Sequence, residues 1–221
     1  RVFDYAFDKY DLMNDLMSLG IHRLWKRRLL DWMSPNEDDC LVDVASGTGD
    51  IAKSYLKRIQ FKGEVTCVEP NKNMLVRGKT KLKNFKEIKW VRSMAEKLPL
   101  KSNTFDFYSV SFGIRNFSNI NQSLSEARRV LKSGGRIMCL EFSKVENESL
   151  DKIYKFYSKS IPFLGKYITG KSEPYEYLTK SIEEFYNQDE LLEIFKKNGF
   201  ENVEYRNLSG GIAAIHSGWK I

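Results

Sequence analysis

The amino-acid sequence predicts an α/β fold with a seven-stranded, mostly parallel sheet, an antiparallel last strand and helices on both faces. Short apolar, β-branched segments alternate with amphipathic ones through the middle of the chain, which is typical of a parallel sheet covered on both faces. Near the end, only Ser209, Gly210 and Gly211 separate two strand-like segments, as in an antiparallel hairpin. At 221 residues the chain is long enough for one substantial core, so we expect a single domain over residues 1–221.

Seven strand candidates and five helix candidates follow from the local patterns. The strand candidates are residues 40–46, 64–70, 88–93, 105–112, 136–142, 201–208 and 212–221. Four helix candidates begin near Asp50, Asn73, Asn121 and Ser149, and a fifth covers residues 188–198. Gly199 follows the fifth helix and suits a left-handed C-cap.

Composition and charge limit the class of protein. Hydrophobic residues make up 42% of the chain, and no apolar run reaches the roughly 18 to 20 residues that a membrane span needs. The formal charge of +7 favours polyanions or an anionic membrane surface as partners. Cys40, Cys67 and Cys139 lie far apart within apolar segments, so we expect core residues in a reducing compartment and no metal site.

The first 39 residues are predicted to be helical rather than part of the sheet. An apolar stripe follows Gly20 and consists of Leu24, Trp25, Leu29 and Trp32. A basic run shares this segment and is interpreted as a solvated face or a membrane-surface patch: Arg23, Lys26, Arg27 and Arg28. The chain begins with Arg1 rather than Met, so we expect its natural start to lie upstream.

A glycine-rich loop, DVASGTGD (residues 43–50), lies where the first strand gives way to a helix, the position at which open α/β sheets bind ligands. Gly47 and Gly49 match the start of a dinucleotide-binding pattern. Glu69 ends the next strand, 20 residues after Gly49, where an acid that binds a ribose belongs. This spacing fits a nicotinamide dinucleotide as well as S-adenosylmethionine.

The acids around the loop favour S-adenosylmethionine. Asp50 would lie in the first turn of the helix, where its carboxylate opposes a phosphate. Together with Asp43 it suits the amino group and sulfonium of a donor that has no phosphate. The alternative is that Asp50 only caps the helix and Glu69 is a surface acid. Met94 and Ala95 follow the third strand, where an adenine would be flanked, and Ser111 ends the fourth.

With these residues placed, the chain resembles the class I, Rossmann-like S-adenosylmethionine-dependent methyltransferases, and within them the ubiquinone/menaquinone biosynthesis C-methyltransferase family. The resemblance covers essentially the whole chain. Its most specific segments are KYDLMNDLMSLGIHRLWK (residues 9–26), the DVASGTGD loop, SFGIRN (111–116), LKSGGR (131–136), LEFS (140–143) and GIAAIHSGWK (211–220).

The resemblance implies methyl transfer from S-adenosyl-L-methionine to a ring carbon of a polyprenylated methoxybenzoquinol or of a demethylmenaquinol. The cofactor contacts that it implies are Thr48, Glu69, Met94, Ala95 and Ser111, beside the loop residues Asp43, Gly47, Gly49 and Asp50. Two residues depart from the commonest family pattern. Glu69 stands where Asp is frequent, and Met94 stands where Asn or Asp would bond the adenine amino group through its side chain.

The ring carbon becomes nucleophilic when the phenol, whose pKa is near 10, is converted to its phenolate. Arg115 is the predicted catalytic group, either stabilising the phenolate or orienting a water that takes the proton. Asn116 is expected to bond a ring oxygen, with Tyr10 and His22 as substrate-binding residues on the helical cap formed by residues 1–39. The alternatives are an ordinary salt bridge for Arg115 and a packing or capping role for His22.

Residues 143–186 are expected to form an aromatic-rich lid over the isoprenoid tail. Lysines are interleaved with the aromatic residues and would face anionic lipid: Lys152, Lys155, Lys159, Lys166 and Lys171. The alternative is an aromatic core with solvated lysines. Further expected partners are a peripheral membrane surface, a quinone-biosynthesis complex and a second copy of the chain. The expected location is the cytoplasm, peripheral on the inner membrane, or the mitochondrial matrix in a eukaryote.

Two rival functions are considered. A nucleic-acid methyltransferase fits the net charge, but amino-methylating enzymes of that class place Asn-Pro-Pro-Tyr/Phe where this chain has FGIRN (residues 112–116). We therefore expect no nucleic-acid partner. A non-catalytic, cofactor-binding scaffold differs from an enzyme by its lack of turnover. The LEFS and GIAAIHSGWK segments favour the ubiquinone branch over the menaquinone branch.

Overall fold

A computed structural model describes residues 15–18, 20–169 and 172–221 of the chain. The helices are α1 His22–Met33, α2 Asp50–Arg58, α3 Lys72–Lys81, α4 Ile120–Val130, α5 Glu148–Thr169, α6 Glu173–Glu184 and α7 Gln188–Lys197. The strands are β1 Leu41–Val44, β2 Val65–Val68, β3 Ile88–Val91, β4 Phe105–Ser111, β5 Leu131–Phe142, β6 Glu201–Leu208 and β7 Ala213–Trp219. A short 3₁₀ helix, Ile114–Asn116, follows β4.

The seven strands form one sheet in the order β3-β2-β1-β4-β5-β7-β6. Every adjacent pair from β3 to β5 is parallel, and β7 is antiparallel to both β5 and β6. Val44 of β1 lies opposite Val68 of β2 and Val110 of β4. Because parallel strands have their carboxyl ends at the same edge, the residues that follow β1, β2 and β4 meet there. The predicted fold class is confirmed.

Side chains that alternate along the strands build a core on each face of the sheet. Leu41 of β1 belongs to the cluster that holds Trp25 of α1 and Tyr55 of α2. Its neighbour Val42 belongs to the cluster that holds Leu124 of α4, together with side chains of α7. This period-two alternation, buried on both sides, is what a parallel sheet between two helical layers requires.

The last parallel strand begins earlier than its hydrophobic pattern indicates. The sequence predicts a strand from Arg136, whereas β5 begins at Leu131, directly after α4. Gly134 has φ +76°, and its N–H donates to the Lys220 carbonyl at 2.7 Å. The polar, glycine-containing start of β5 is therefore an irregular part of the strand, and the pairing of β5 with β4 shifts register there. Gly199 ends α7 with φ +82°, as the sequence predicts.

Among the described residues, no helix has the length and apolar character to cross a membrane.

Candidate functional site

The loop after β1 turns sharply, and its two glycines have different roles, one in packing and one at the cavities. Ala45, Gly47 and Gly49 all have positive φ, at 53°, 57° and 82°. A Cβ on Gly49 would lie 2.7 Å from a Leu82 methyl and 3.0 Å from the Trp90 ring, so this glycine permits close packing against α3 and β3. Gly47 instead lies beside two cavities and donates its N–H to Glu69. Of these two glycines, Gly47 is the one that lines the cavities in the part of the chain that the structure describes.

The larger cavity, of about 400 Å³, lies beside the end of β2. Its lining includes Glu69, Pro70, Asn71, Met74, Asn116 and Phe117. Glu69 is only 5% exposed, and its two oxygens accept from the N–H groups of Gly47 and Asn71, each at 2.9 Å. Burial raises the pKa of Glu69, and the two backbone donors oppose that shift. Each carboxylate oxygen has a second lone pair, so Glu69 can still accept ribose hydroxyls.

The smaller cavity shares Ala45 and Gly47 of the loop with the larger one. Its lining includes Lys26, Asp43, Thr48, Asp50, Ser111 and Phe112. Asp43 is fully buried, and its Oδ1 accepts from the Ser109 hydroxyl at 2.6 Å. Its Oδ2 has no hydrogen-bond partner among the described residues, and the same holds for the buried Ser111 hydroxyl. Burial raises the pKa of Asp43 to about 7, although Ser109 and Lys26 oppose the shift.

Asp50 begins α2, as the sequence predicts, and its carboxylate forms ion pairs with two lysines. Lys26 Nζ lies 3.3 Å from Asp50 Oδ2, and Lys81 Nζ lies 2.7 Å from Oδ1. Although burial opposes it, these two ammonium groups lower the pKa of Asp50 to about 2. Lys81 also donates to the Thr48 hydroxyl at 3.2 Å. Sequence reasoning missed both lysines, and the Lys26 side chain, at 17% exposed, departs from the interpretation of its basic run as a solvated face.

These residues fit S-adenosylmethionine. The buried, unpartnered oxygen of Asp43 suits the donor's ammonium group, and Glu69 suits its ribose. Met94 and Ala95 are not among the residues that line either cavity; the Met94 side chain is about half exposed, and Ala95 is buried. Their predicted contact with adenine remains a prediction.

The turn after β4 joins the two cavities. Phe112 lines both of them and is buried, with φ 56°, a conformation that few residues other than glycine adopt. A Cβ on Gly113 would lie 2.6 Å from the Ala45 Cβ, so glycine lets the ends of β1 and β4 approach. Strained backbone conformations are common at functional sites. Phe112 lies directly after Ser111, a predicted donor contact, and shortly before Arg115 and Asn116, which are predicted to contact the substrate.

Arg115 forms a buried ion pair. Its Nη1 donates to Glu141 Oε1 at 2.6 Å and to the Phe112 carbonyl at 2.8 Å, and both charged side chains are 2% exposed. Glu141 also accepts from the Phe142 N–H at 2.9 Å. Burial raises the pKa of Glu141, and Arg115 opposes that shift. The salt bridge that was the alternative interpretation for Arg115 is therefore present. The catalytic role of Arg115 remains a prediction, and any such role involves Glu141 as the partner of its guanidinium group.

Of the other residues predicted to contact the substrate, Asn116 lies at a cavity and His22 lies in the core. Asn116 lines the larger cavity, and its Oδ1 accepts from the Tyr177 hydroxyl of α6 at 3.1 Å. His22 is buried at the start of α1, with its ring at 76° to the Phe112 ring and its Nε2 2.9 Å from Asp15 Oδ1. Burial lowers the pKa of His22. Tyr10 lies outside the described residues.

Comparison with known proteins shows the family of the chain. The model of the ubiE/COQ5 methyltransferase family matches residues 1–220. The chain is 50% identical to the ubiquinone/menaquinone biosynthesis C-methyltransferase UbiE of Rickettsia akari, covering 100% of this chain and 91% of that protein. Identity to UbiE of Roseobacter denitrificans is 46%, covering 100% of this chain and 89% of the relative.

Solved structures share the fold. A crystal structure of an S-adenosylmethionine-dependent methyltransferase from Thermotoga maritima superposes with a TM-score of 0.70 at 20% identity, covering 100% of this chain and 98% of that one. Another, from Aquifex aeolicus, gives a TM-score of 0.67 at 20% identity, covering 89% of each chain. From the family match, the close relatives and a site that fits the donor, we conclude that the chain is an S-adenosylmethionine-dependent methyltransferase and belongs to the ubiE/COQ5 methyltransferase family.

Proposed function

We propose that the chain methylates a ring carbon of a polyprenylated methoxybenzoquinol in ubiquinone biosynthesis, with a demethylmenaquinol as a second substrate. Its relatives from Rickettsia akari and Roseobacter denitrificans are ubiquinone/menaquinone biosynthesis C-methyltransferases, which supports a quinone substrate. The structural observation that carries the proposal is the turn from Ser111 to Asn116. Ser111 lines the smaller cavity, and Asn116 lines the larger one. Arg115 precedes Asn116 in this turn, and its buried side chain, which lines neither cavity, pairs with Glu141 of β5.

In this proposal the side chains of the turn act on the ring oxygens of the quinol. The bound cofactor supplies the methyl group as an electrophile. Arg115 stabilises negative charge on a phenolic oxygen, which makes the ring carbon nucleophilic without a strong base. Glu141 fixes the guanidinium of Arg115 and offsets its charge when no phenolate is present. Asn116 bonds a ring oxygen, and Tyr177 orients its amide.

The lid, residues 143–186, provides the route for the isoprenoid tail. Its helix α5 exposes four large apolar side chains, namely Ile153, Phe156, Phe163 and Tyr167. Lys152, Lys159 and Lys166 are spaced by seven residues on the same helix, so they share a face with Phe156 and Phe163. Aromatic residues interleaved with lysines suit the surface of an anionic membrane. We propose that α5 rests there while the quinol enters from the bilayer.

The test is methyl transfer from labelled S-adenosylmethionine to each of the two prenylated quinols. We expect label in the methoxybenzoquinol at a higher rate than in the demethylmenaquinol. An Arg115→Ala variant should lose turnover while its affinity for S-adenosylhomocysteine stays within a few fold, and Arg28→Ala, on the exposed side of α1, should match the wild type. Cofactor binding without label in either quinol would overturn the proposal and favour the scaffold function.

A further inference from the structure

Lys26 is the residue of the basic run on α1 that turns inward. Its neighbours Arg27 and Arg28 are exposed, whereas the Lys26 side chain is 17% exposed and lines the smaller cavity with Asp43, Thr48 and Ser111. Of the described residues that line this cavity, Lys26 alone carries a positive charge. Helix α1 therefore places one cation among the residues that fit the donor.

The charges of this cavity match those of an amino acid. The methionine half of S-adenosylmethionine carries an ammonium group and a carboxylate on the same carbon. Asp43 offers a buried acceptor, Oδ2, that has no partner among the described residues. A carboxylate bound close to the acids Asp43 and Asp50 would be repelled unless a cation lies beside it. Lys26 is the group in the cavity that can supply this charge.

We propose that Lys26 binds the carboxylate of the cofactor's amino-acid half. The existing contact of Lys26 with Asp50 does not prevent this role. Asp50 has a second and closer partner, because Lys81 Nζ lies 2.7 Å from it and Lys26 Nζ lies 3.3 Å away. Asp50 stays paired when the flexible Lys26 side chain turns toward a ligand, and an ammonium with three donors can also contact both carboxylates.

This contact makes α1 part of the cofactor site. His22 lies one turn before Lys26 on α1 and makes a T-shaped contact with Phe112, with ring centroids 6.5 Å apart. Phe112 lines both cavities. A bound amino-acid half therefore fixes α1 against the turn that carries Arg115, which links donor binding to the substrate side of the site.

The proposal is tested by comparing two ligands that differ in the amino-acid half. S-adenosylhomocysteine has this half, and 5′-methylthioadenosine lacks it. We measure the affinity of each by titration calorimetry with the wild type, Lys26→Met, Lys26→Arg and the control Arg28→Met. Loss of a charge-assisted contact is expected to weaken S-adenosylhomocysteine roughly ten- to a hundredfold in Lys26→Met. Its affinity for 5′-methylthioadenosine should stay within about twofold of the wild type.

Lys26→Arg keeps the cation, so it should bind S-adenosylhomocysteine at least several-fold more tightly than Lys26→Met does. Arg28→Met should match the wild type with both ligands. If Lys26 only anchors α1 to α2, Lys26→Met weakens both ligands by the same factor, and this result would overturn the proposal. Unchanged S-adenosylhomocysteine affinity would overturn it as well. Because no quinol is present, failure here leaves the proposed substrate untouched, and failure of the quinol assay leaves this result standing.

Discussion

The buried Asp43 makes the stability of this protein depend on pH in a way that Asp43→Asn should remove. The carboxyl pKa is about 7 in the folded protein, where burial dominates, against 3.8 in the unfolded chain. The folded state therefore holds a proton that the unfolded state releases. Stabilisation by that proton is fully present below pH 4 and is lost as the pH rises through 7. A difference of about three units between the folded and unfolded pKa corresponds to about 4 kcal/mol of unfolding free energy.

The assay is urea unfolding of the cofactor-free wild type and of Asp43→Asn between pH 4 and pH 8. Other acids titrate in both proteins, so the informative quantity is the difference between their unfolding free energies. The wild type should lose about 4 kcal/mol relative to Asp43→Asn between pH 4 and pH 7, and the difference should be level above that range. A difference that stays constant from pH 4 to pH 7 would refute the reasoning.

Three further predictions concern the two cavities and the lid. Binding of S-adenosylhomocysteine below pH 7 should release close to one proton in the wild type, because the ammonium group of the ligand favours the charged form of Asp43. Asp43→Asn should release much less, and calorimetry in two buffers of different ionisation enthalpy measures the number of protons released. Glu141→Gln should lower methyl transfer roughly a hundredfold through a misplaced Arg115, with S-adenosylhomocysteine affinity unchanged; equal turnover would contradict the role of Glu141. Replacing Phe156 and Phe163 by Glu should weaken binding to anionic vesicles at least tenfold in a sedimentation assay, whereas Val76→Glu, an exposed site on α3, should not.

The sequence predicted which candidate residues lie at the carboxyl edge of the sheet. Asp43, Glu69 and Ser111 lie one to three residues before the ends of predicted apolar strands, so the parallel topology alone brings them to one edge. The pattern of β5 was less informative at its start. Its first residues are polar and glycine-rich, and pairing there depends on a Gly134 conformation that no hydrophobic period reveals.

The ion pairs could not be predicted in the same way. Lys26 lies 24 residues before Asp50, in a basic run whose other members are mostly exposed, and nothing in that run distinguishes the inward residue. Glu141 lies inside the LEFS segment of a buried strand, 26 residues after Arg115, and only the register of β4 against β5 brings the two together. Partner choice between distant charged residues is set by tertiary packing, which leaves no periodic signal in the chain.

The central claim is that this site methylates carbon rather than oxygen on a prenylated quinol. The most direct measurement is carbon NMR of the quinol product after reaction with S-adenosylmethionine labelled with ¹³C in its methyl group. We predict a new, enriched methyl resonance at the shift of an aryl methyl carbon. A resonance at the shift of a methoxy carbon, or no labelled quinol at all, would contradict it.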